Sequence, residues 1–146
     1  MDTIKKAGFS FEQFQIKSFS LNEPDNTDGT LALDFNPSGK YYPKEGRYDV
    51  FIDFSAFLTD GSSEDNISEE AMVKCLYRAT FKFEVPLAFN DLPDFFFANS
   101  VAISFPYLRS FVSTLTLQAN IKPLMLPLMN LTGIEQQLKE KTEVIE

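Results

Sequence analysis

Asp49 and Asp53 form a carboxylate pair that could supply an acid and a base for a hydrolytic reaction. They lie on the polar side of a predicted strand, and Arg78 and Lys82 lie on the polar side of the next one. Opposite charges on neighbouring strands form surface ion pairs. We therefore interpret the aspartates as members of an ion-pair ladder, and an enzyme that uses them is the remote alternative.

Other residue types that carry chemistry are sparse or badly spaced. The acidic residues between Asp60 and Glu70 lack the alternating ligand spacing of an EF-hand, so we interpret them as a solvated loop. The 6 glycines are scattered singly, which excludes a phosphate-binding glycine loop. With no histidine and only 1 cysteine, Cys75, zinc sites of the Cys/His type and intramolecular disulfides are excluded. We predict no enzyme activity, no metal site and no cofactor.

Length and charge narrow the class of protein further. The 146 residues suit a single domain, which we place over residues 1–146. The net charge of −8 repels phosphate backbones and anionic lipid, so we expect no nucleic-acid partner and no membrane insertion. The first residues lack the apolar run of a secretory signal, and the longest uncharged stretch is too short and polar to span a membrane. A cytoplasmic location is expected.

Alternation of apolar residues predicts strands in the first half of the chain. Between Phe9 and Leu21 the apolar positions change from odd to even and back to odd, as in one long strand with bulges. A short second strand covers 31–35 and stops at Asn36. The clearest alternation covers 48–58 and 73–85.

The two clearest strands are predicted to form an antiparallel hairpin. A register that places Asp53 opposite Arg78, and Asp49 opposite Lys82, matches charge with charge and apolar side chains with each other. A shift of two residues would preserve the same sides, so the parity is better determined than the exact pairs.

The second half of the chain favours helices. Ser104 can cap a helix with Pro106 in its first turn, continuing to Ala119. The prolines of 123–130 predict an extended apolar connector, and Thr132 with Glu135 predicts the start of a final helix. We thus expect an α+β domain with a sheet at 1–86, a helix and connector at 87–131 and a C-terminal helix at 132–146.

Several apolar side chains cannot all point into one core. Phe51, Phe57 and Leu76 interrupt the polar sides of their strands, and three consecutive phenylalanines at 95–97 cannot share one helix or strand face. The methionines and leucines of the connector add adaptable apolar surface. For each of these residues the alternative is burial in the core of the monomer or of an oligomer.

Two segments carry a resemblance to a known family. Phe105–Arg109 reads FPYLR, and Pro123–Asn130 reads PLMLPLMN. Together with FQI at 14–16 and TLALD at 30–34, this order of motifs resembles the SecB family of export chaperones. The resemblance implies a four-stranded antiparallel sheet backed by helices, assembled as a dimer of dimers whose apolar grooves hold unfolded polypeptide.

The resemblance leaves the client open. In the family, acidic residues that dock the SecA motor align with Ser18, Asn22 and Arg78 of this chain, so two charges are lost and one is reversed. The connection at 22–30 is also shorter than the family's crossover loop. Secreted precursors delivered to SecA and a cognate antitoxin are both consistent with the sequence.

The resulting hypothesis is an ATP-independent holdase that forms a homotetramer, and the alternative is an oligomeric adaptor with no chaperone activity. The predicted client-binding residues are Phe95, Phe96, Leu126, Met129, Met125, Phe51, Phe57 and Leu76. The predicted oligomer interface is the small-residue side of the long helix, namely Ser110, Ser113, Thr114 and Leu117.

Overall fold

The computed structural model describes residues 8–23, 29–59, 71–127, 130 and 133–146. A sheet with the order β1-β4-β3-β2-β5 carries the helices on one face. The predicted α+β class is confirmed, and a fifth short strand, parallel to β2, extends the antiparallel sheet of four. The elements are β1 Phe9–Leu21, β2 Thr30–Tyr42, β3 Arg47–Thr59, β4 Val73–Phe83, α1 Asp94–Gln118, α2 Ile134–Glu140 and β5 Thr142–Val144, with a 3-10 turn at Phe89–Asp91.

Strand β1 has the bulges that the sequence predicts. Its pairing with β4 shifts register between Phe11 and Gln13 and again between Ile16 and Ser18. An extra residue at each bulge reverses the side on which the following residues lie. The apolar residues of β1 therefore stay on the helix side of the sheet although their parity changes twice.

Strand β2 is longer than predicted. It continues past Asn36 to Tyr42, and Pro37 pairs with Ile52 inside it. Proline is tolerated because β5 pairs only with Gly39–Tyr41, so β2 is an edge strand at Pro37. Gly39 is needed on packing grounds, since a Cβ there would collide with the ring and hydroxyl of Tyr48.

The β3–β4 hairpin has the predicted parity but not the predicted pairs. Asp49 lies opposite Thr80 and Asp53 opposite Leu76, a shift of two residues that leaves apolar residues facing one another. The shift places Arg47 opposite Lys82. The proposed ladder of Asp49 with Lys82 and Asp53 with Arg78 is wrong, because the burial pattern fixes only which side of the sheet each residue occupies.

Helix α1 begins at Asp94, well before the predicted start at Ser104. Ser104 is buried inside the helix, where its hydroxyl donates to the carbonyl of Ser100 at 2.8 Å, so it is not a cap. Pro106 is an internal helical residue. The predicted end before Asn120 is confirmed, since α1 ends at Gln118 and Asn120 has a φ of 61°.

The C-terminal helix is shorter than predicted. Helix α2 ends at Glu140, and the chain then forms β5, so the prediction of a helix over 132–146 is wrong. The Thr142 hydroxyl donates to the carbonyl of Leu138 at 2.6 Å and shares a hydrogen bond with Tyr48. The N–H of Ile145 donates to the carbonyl of Tyr41 at 2.8 Å. Thr132 lies outside the described residues, as does the acidic segment 60–70.

The core lies between the sheet and α1. The ring of Phe96 is completely buried and packs against Tyr48 and Phe83, each at 4.8 Å between ring centroids, and against Phe81 at 5.6 Å. Further along α1, Phe105 contacts Phe35 of β2, with 6.2 Å between ring centroids. No helix in the described part of the chain is long and apolar enough to cross a membrane.

Candidate functional site

A band of aromatic rings follows the seam between β1 and α1. We call it the β1–α1 aromatic surface. Its members are Phe9, Phe11, Phe14 and Phe19 of β1 with Phe95, Tyr107 and Phe111 of α1.

Helix α1 runs beside β1, and aromatic rings of the helix contact aromatic rings of the strand. Tyr107 stacks on Phe11 with 5.2 Å between centroids and contacts Phe14 at 4.8 Å. Near the end of the strand, Phe19 meets Phe111 edge to face at 5.6 Å. The rings therefore form three neighbouring groups along β1, namely Phe9 with Phe95, Phe11 and Phe14 with Tyr107, and Phe19 with Phe111.

Much of this strip is open to solvent. Phe19 is 58% exposed, Phe95 51%, Tyr107 40% and Phe14 37%. Lone exposed apolar side chains are common, whereas several large rings exposed along one seam indicate a surface that can bind apolar side chains. The β1–α1 aromatic surface has the character of a binding site for apolar side chains.

The backbone beside the strip is also accessible. Strand β1 is the last strand of the sheet, and no described strand pairs with its outer side. An unpaired edge can add an extended polypeptide through backbone hydrogen bonds, with alternate side chains entering neighbouring apolar surface. The strand edge offers backbone hydrogen bonds and the aromatic strip offers apolar contacts, and an extended polypeptide segment can use both.

A second apolar recess lies under the connector at the far end of α1. It has a volume of about 290 Å³, and its apolar walls include Leu58, Met72, Ile121 and Leu124. Glu23 and Lys122 also line it. The N–H of Leu124 donates to the Thr116 hydroxyl at 2.8 Å, which fixes the connector against α1.

The predicted client-binding residues of α1 and the connector divide into exposed and buried pairs. Phe95 is 51% exposed and Met125 63%, whereas their neighbours Phe96 and Leu126 are completely buried. The placement of Phe96 and Leu126 on an open groove is therefore wrong. Adjacent residues on a helix or extended chain point in different directions, so only one of each pair reaches solvent. Met129 lies outside the described residues.

Phe51, Phe57 and Leu76 occupy the opposite face of the sheet from the helices. All three are half-buried, and the register places Phe51 next to Arg78 and Leu76 next to Asp53. The sheet separates them from Phe95 and Met125. The predicted client-binding residues thus belong to two surfaces rather than one.

The predicted oligomer residues share one side of α1. Ser110, Ser113, Thr114 and Leu117 follow helical spacing and are exposed or half-buried, with Leu117 60% exposed. The hydroxyl of Ser113 lies 3.0 Å from the sulfur of Met125. Their role in assembly stays a prediction.

Sequence reasoning missed Phe14, Phe19 and Tyr107. The alternation of β1 assigns Phe14 and Phe19 to the helix side, which is correct, but they remain exposed because α1 does not cover the edge strand completely. A strand with large rings on one side and only polar residues on the other is the signal that could have identified them once β1 was known to be an edge.

The described residues offer little for covalent chemistry. Burial, with a smaller contribution from the charge of Asp53, raises the pKa of the Cys75 thiol to about 11, which keeps it protonated and unreactive. Asp49 is buried and accepts a hydrogen bond from the Thr80 hydroxyl at 2.9 Å. No group of three or more acidic or cysteine side chains in the described part of the chain could hold a metal ion.

Comparison with known proteins agrees with this architecture. The structure superposes on a SecB-like chaperone of Mycobacterium tuberculosis, solved in complex with a ChAD peptide from the HigA1 antitoxin, with a TM-score of 0.63 over 85% of this chain and 89% of that one. The fold is SecB-like. Sequence identity to that chaperone is 16%, so the likeness is one of fold.

A relative with a similar sequence is found in an archaeon. An uncharacterized protein of Methanocaldococcus jannaschii is 28% identical over 145 residues, which cover 98% of this chain and 92% of the relative. No protein-family model matches the sequence.

Proposed function

We propose that this protein is an ATP-independent chaperone that holds unfolded polypeptide segments on the β1–α1 aromatic surface. The observation that carries the proposal is the exposed aromatic strip beside an unpaired strand edge. Rings supply affinity with little sequence preference, and the backbone edge accepts any extended segment. The SecB-like fold supports the proposal, since a neighbour with this fold is a chaperone bound to a peptide.

The same comparison supports a proposal for the client. The neighbouring chaperone holds an antitoxin peptide, so a cognate antitoxin is the first client we propose here, and secreted precursors handed to SecA are the second. Ser18 and Arg78, which stand at acidic docking positions of the family, favour the antitoxin. A cytoplasmic location is consistent with either client.

We further propose a homotetramer. In this assembly the exposed side of α1 around Ser113 and Leu117 packs between two dimers, since small side chains allow helices to approach closely. Light scattering at micromolar concentration should give the mass of a tetramer. A monomer over that whole range would contradict the assembly.

The chaperone activity is tested by mixing the protein with a chemically denatured client and following aggregation without nucleotide. At one tetramer per client the aggregation should be suppressed. The double variant Phe14→Ala/Phe95→Ala should lose most of this effect, because both rings are exposed and their removal leaves the core intact. Phe57→Ala, which removes a ring from the opposite face, is the matched control.

If the protein is instead an oligomeric adaptor without chaperone activity, the opposite results are expected. If the aromatic strip is permanently covered by another copy of the chain, a dye that fluoresces on exposed apolar surface stays dark and aggregation is unaffected. Equal loss of activity in the Phe57→Ala control would instead move the client site to the other face of the sheet.

A further inference from the structure

The face of the sheet opposite the helices carries a line of cations. Strand β4 has Lys74, Arg78 and Lys82 at every fourth position and no carboxylate. In an extended strand these residues lie on one side, about 13 Å apart at 3.3 Å per residue. They form a cationic line in a chain whose net charge is −8.

The neighbours of this line on β1 do not neutralise it. On the β1 side Lys82 lies opposite Ser10, Arg78 opposite Gln15 and Lys74 opposite Ser20. The Arg78 guanidinium donates to the Gln15 side chain, and none of the three cations makes an ion pair within the described ranges. On the β1–β4 half of this face each side chain is thus either cationic or uncharged, except Glu12, which lies at the margin beside Ser10.

The β3 side adds positive charge at one end of the line and a carboxylate near the other, because the exposed Asp53 lies opposite Leu76, between Lys74 and Arg78. Arg47 lies directly opposite Lys82, a pair of like charges that destabilises a hairpin. Arg47 is held by Glu45 at 3.1 Å and Asp49 at 3.8 Å, which leaves Lys82 without a carboxylate among the described residues. Lys40 of β2, opposite Asp49, extends the positive end across the sheet, with its ammonium 5.7 Å from the ring of Phe51.

Apolar side chains interleave with the cations. Leu76 separates Lys74 from Arg78 on the same side of β4, and Phe51 pairs with Arg78 from β3. Both are half-buried. A ligand on this face would therefore meet an apolar position between Lys74 and Arg78, whereas Thr80 separates Arg78 from Lys82.

We propose that this cationic line docks an extended acidic polypeptide segment, with carboxylates facing Lys74, Arg78 and Lys82 and apolar side chains over Leu76 and Phe51. Charge complementarity and the linear spacing match a peptide in extended conformation. The interleaved apolar residues and the overall charge of −8 disfavour a nucleic acid. The site is separate from the β1–α1 aromatic surface, which lies on the other face of the sheet.

The probe is a fluorescent peptide of about ten residues with glutamate at every fourth position and leucine midway between them, a length that spans the line at 3.3 Å per residue. Anisotropy at low salt should show saturable binding that weakens as salt is added. A second peptide with glutamine in place of glutamate should bind at least about tenfold more weakly, because it lacks the charges.

Matched variants locate the site. Lys74→Gln/Lys82→Gln should weaken binding of the acidic peptide about tenfold, while Lys122→Gln/Lys141→Gln, which removes the same charge from exposed positions elsewhere, should change it less than about twofold. Melting curves verify that both double variants fold. Equal effects of the two double variants would show that binding depends only on the net charge of the protein, and this would overturn the proposal.

Two further results would also overturn it. Failure of the wild-type protein to bind the acidic peptide removes the site altogether. Binding of a single-stranded oligonucleotide as tight as that of the peptide, with the same loss in Lys74→Gln/Lys82→Gln, would assign the line to polyanions in general. Neither result bears on suppression of aggregation, which tests the aromatic surface.

Discussion

Phe95 and Phe96 are neighbours in the first turn of α1 and have opposite environments: Phe95 is 51% exposed beside Phe9, whereas Phe96 is completely buried among five other rings. The helix turns about 100° per residue, so one ring enters the core and the next reaches the seam with β1. Within a single turn, Phe96 thus contributes to folding, whereas Phe95 is available for binding.

Alanine at each position should therefore have different consequences. Phe96→Ala leaves a cavity in the core and should lower the free energy of unfolding by about 3 to 5 kcal/mol. Phe95→Ala should cost less than about 1 kcal/mol and weaken the binding of an unfolded client. Urea denaturation combined with an aggregation assay measures both effects, and a large loss of stability in Phe95→Ala would place that ring in the core.

The β3–β4 register predicts that Lys82→Glu is stabilising. Glutamate at this position faces Arg47 and replaces a repulsive pair with an attractive one, for a gain of about 0.2 to 1 kcal/mol. In the register expected from the sequence, the same glutamate would face Asp49 and destabilise the hairpin. Thermal melting of Lys82→Glu beside Lys82→Gln distinguishes the two registers by the sign of the shift.

The Thr116 hydroxyl joins the connector to α1. It accepts from the N–H of Leu124 at 2.8 Å and lies 3.1 Å from the carbonyl of Val112, in a completely buried position. Thr116→Val keeps the shape but leaves the N–H without its acceptor, at a cost of about 1 to 3 kcal/mol. Hydrogen exchange at the Leu124 amide should accelerate in Thr116→Val and stay slow in Thr116→Ser, which keeps the hydroxyl. Unchanged protection in the valine variant would contradict the contact.

Stability should fall at high pH. Burial raises the pKa of Cys75 from 9.0 to about 11 and that of Tyr77 from 10.0 to about 12, so the folded state holds these protons more tightly than the unfolded state. Their contribution is complete below pH 9 and is lost as the pH rises from there through the folded-state values. Denaturant midpoints measured from pH 7 to 12 should decline above pH 9.

Cys75→Ala provides the control for that decline. It removes one of the raised pKa values, so the part of the decline that begins near pH 9 should become smaller, while the part due to the tyrosines remains. An identical profile in the variant would show that the thiol does not contribute. In the wild type, thiol-specific reagents should label Cys75 slowly until the protein unfolds.

The sequence by itself determined the location of strands β1, β3 and β4 and the side of the sheet that their residues occupy. The alternation of β1 predicts both bulges, and the alternation of β3 and β4 predicts their parity, because a strand has one buried side and each residue belongs to one side or the other. The stop of α1 near Asn120 is equally local, since that residue adopts a left-handed φ.

Tertiary structure decided what this local code leaves open. A shift of two residues preserves every buried side, so only the packed sheet selects Arg47 rather than Asp49 as the partner of Lys82. Ser104 has the chemistry of a helix cap, but contacts with the core extend α1 through it and turn its hydroxyl to Ser100. The exposure of Phe14 depends on the position of β1 at the edge of the sheet, a long-range property, and for that reason the aromatic surface emerged only when helix and sheet were brought together.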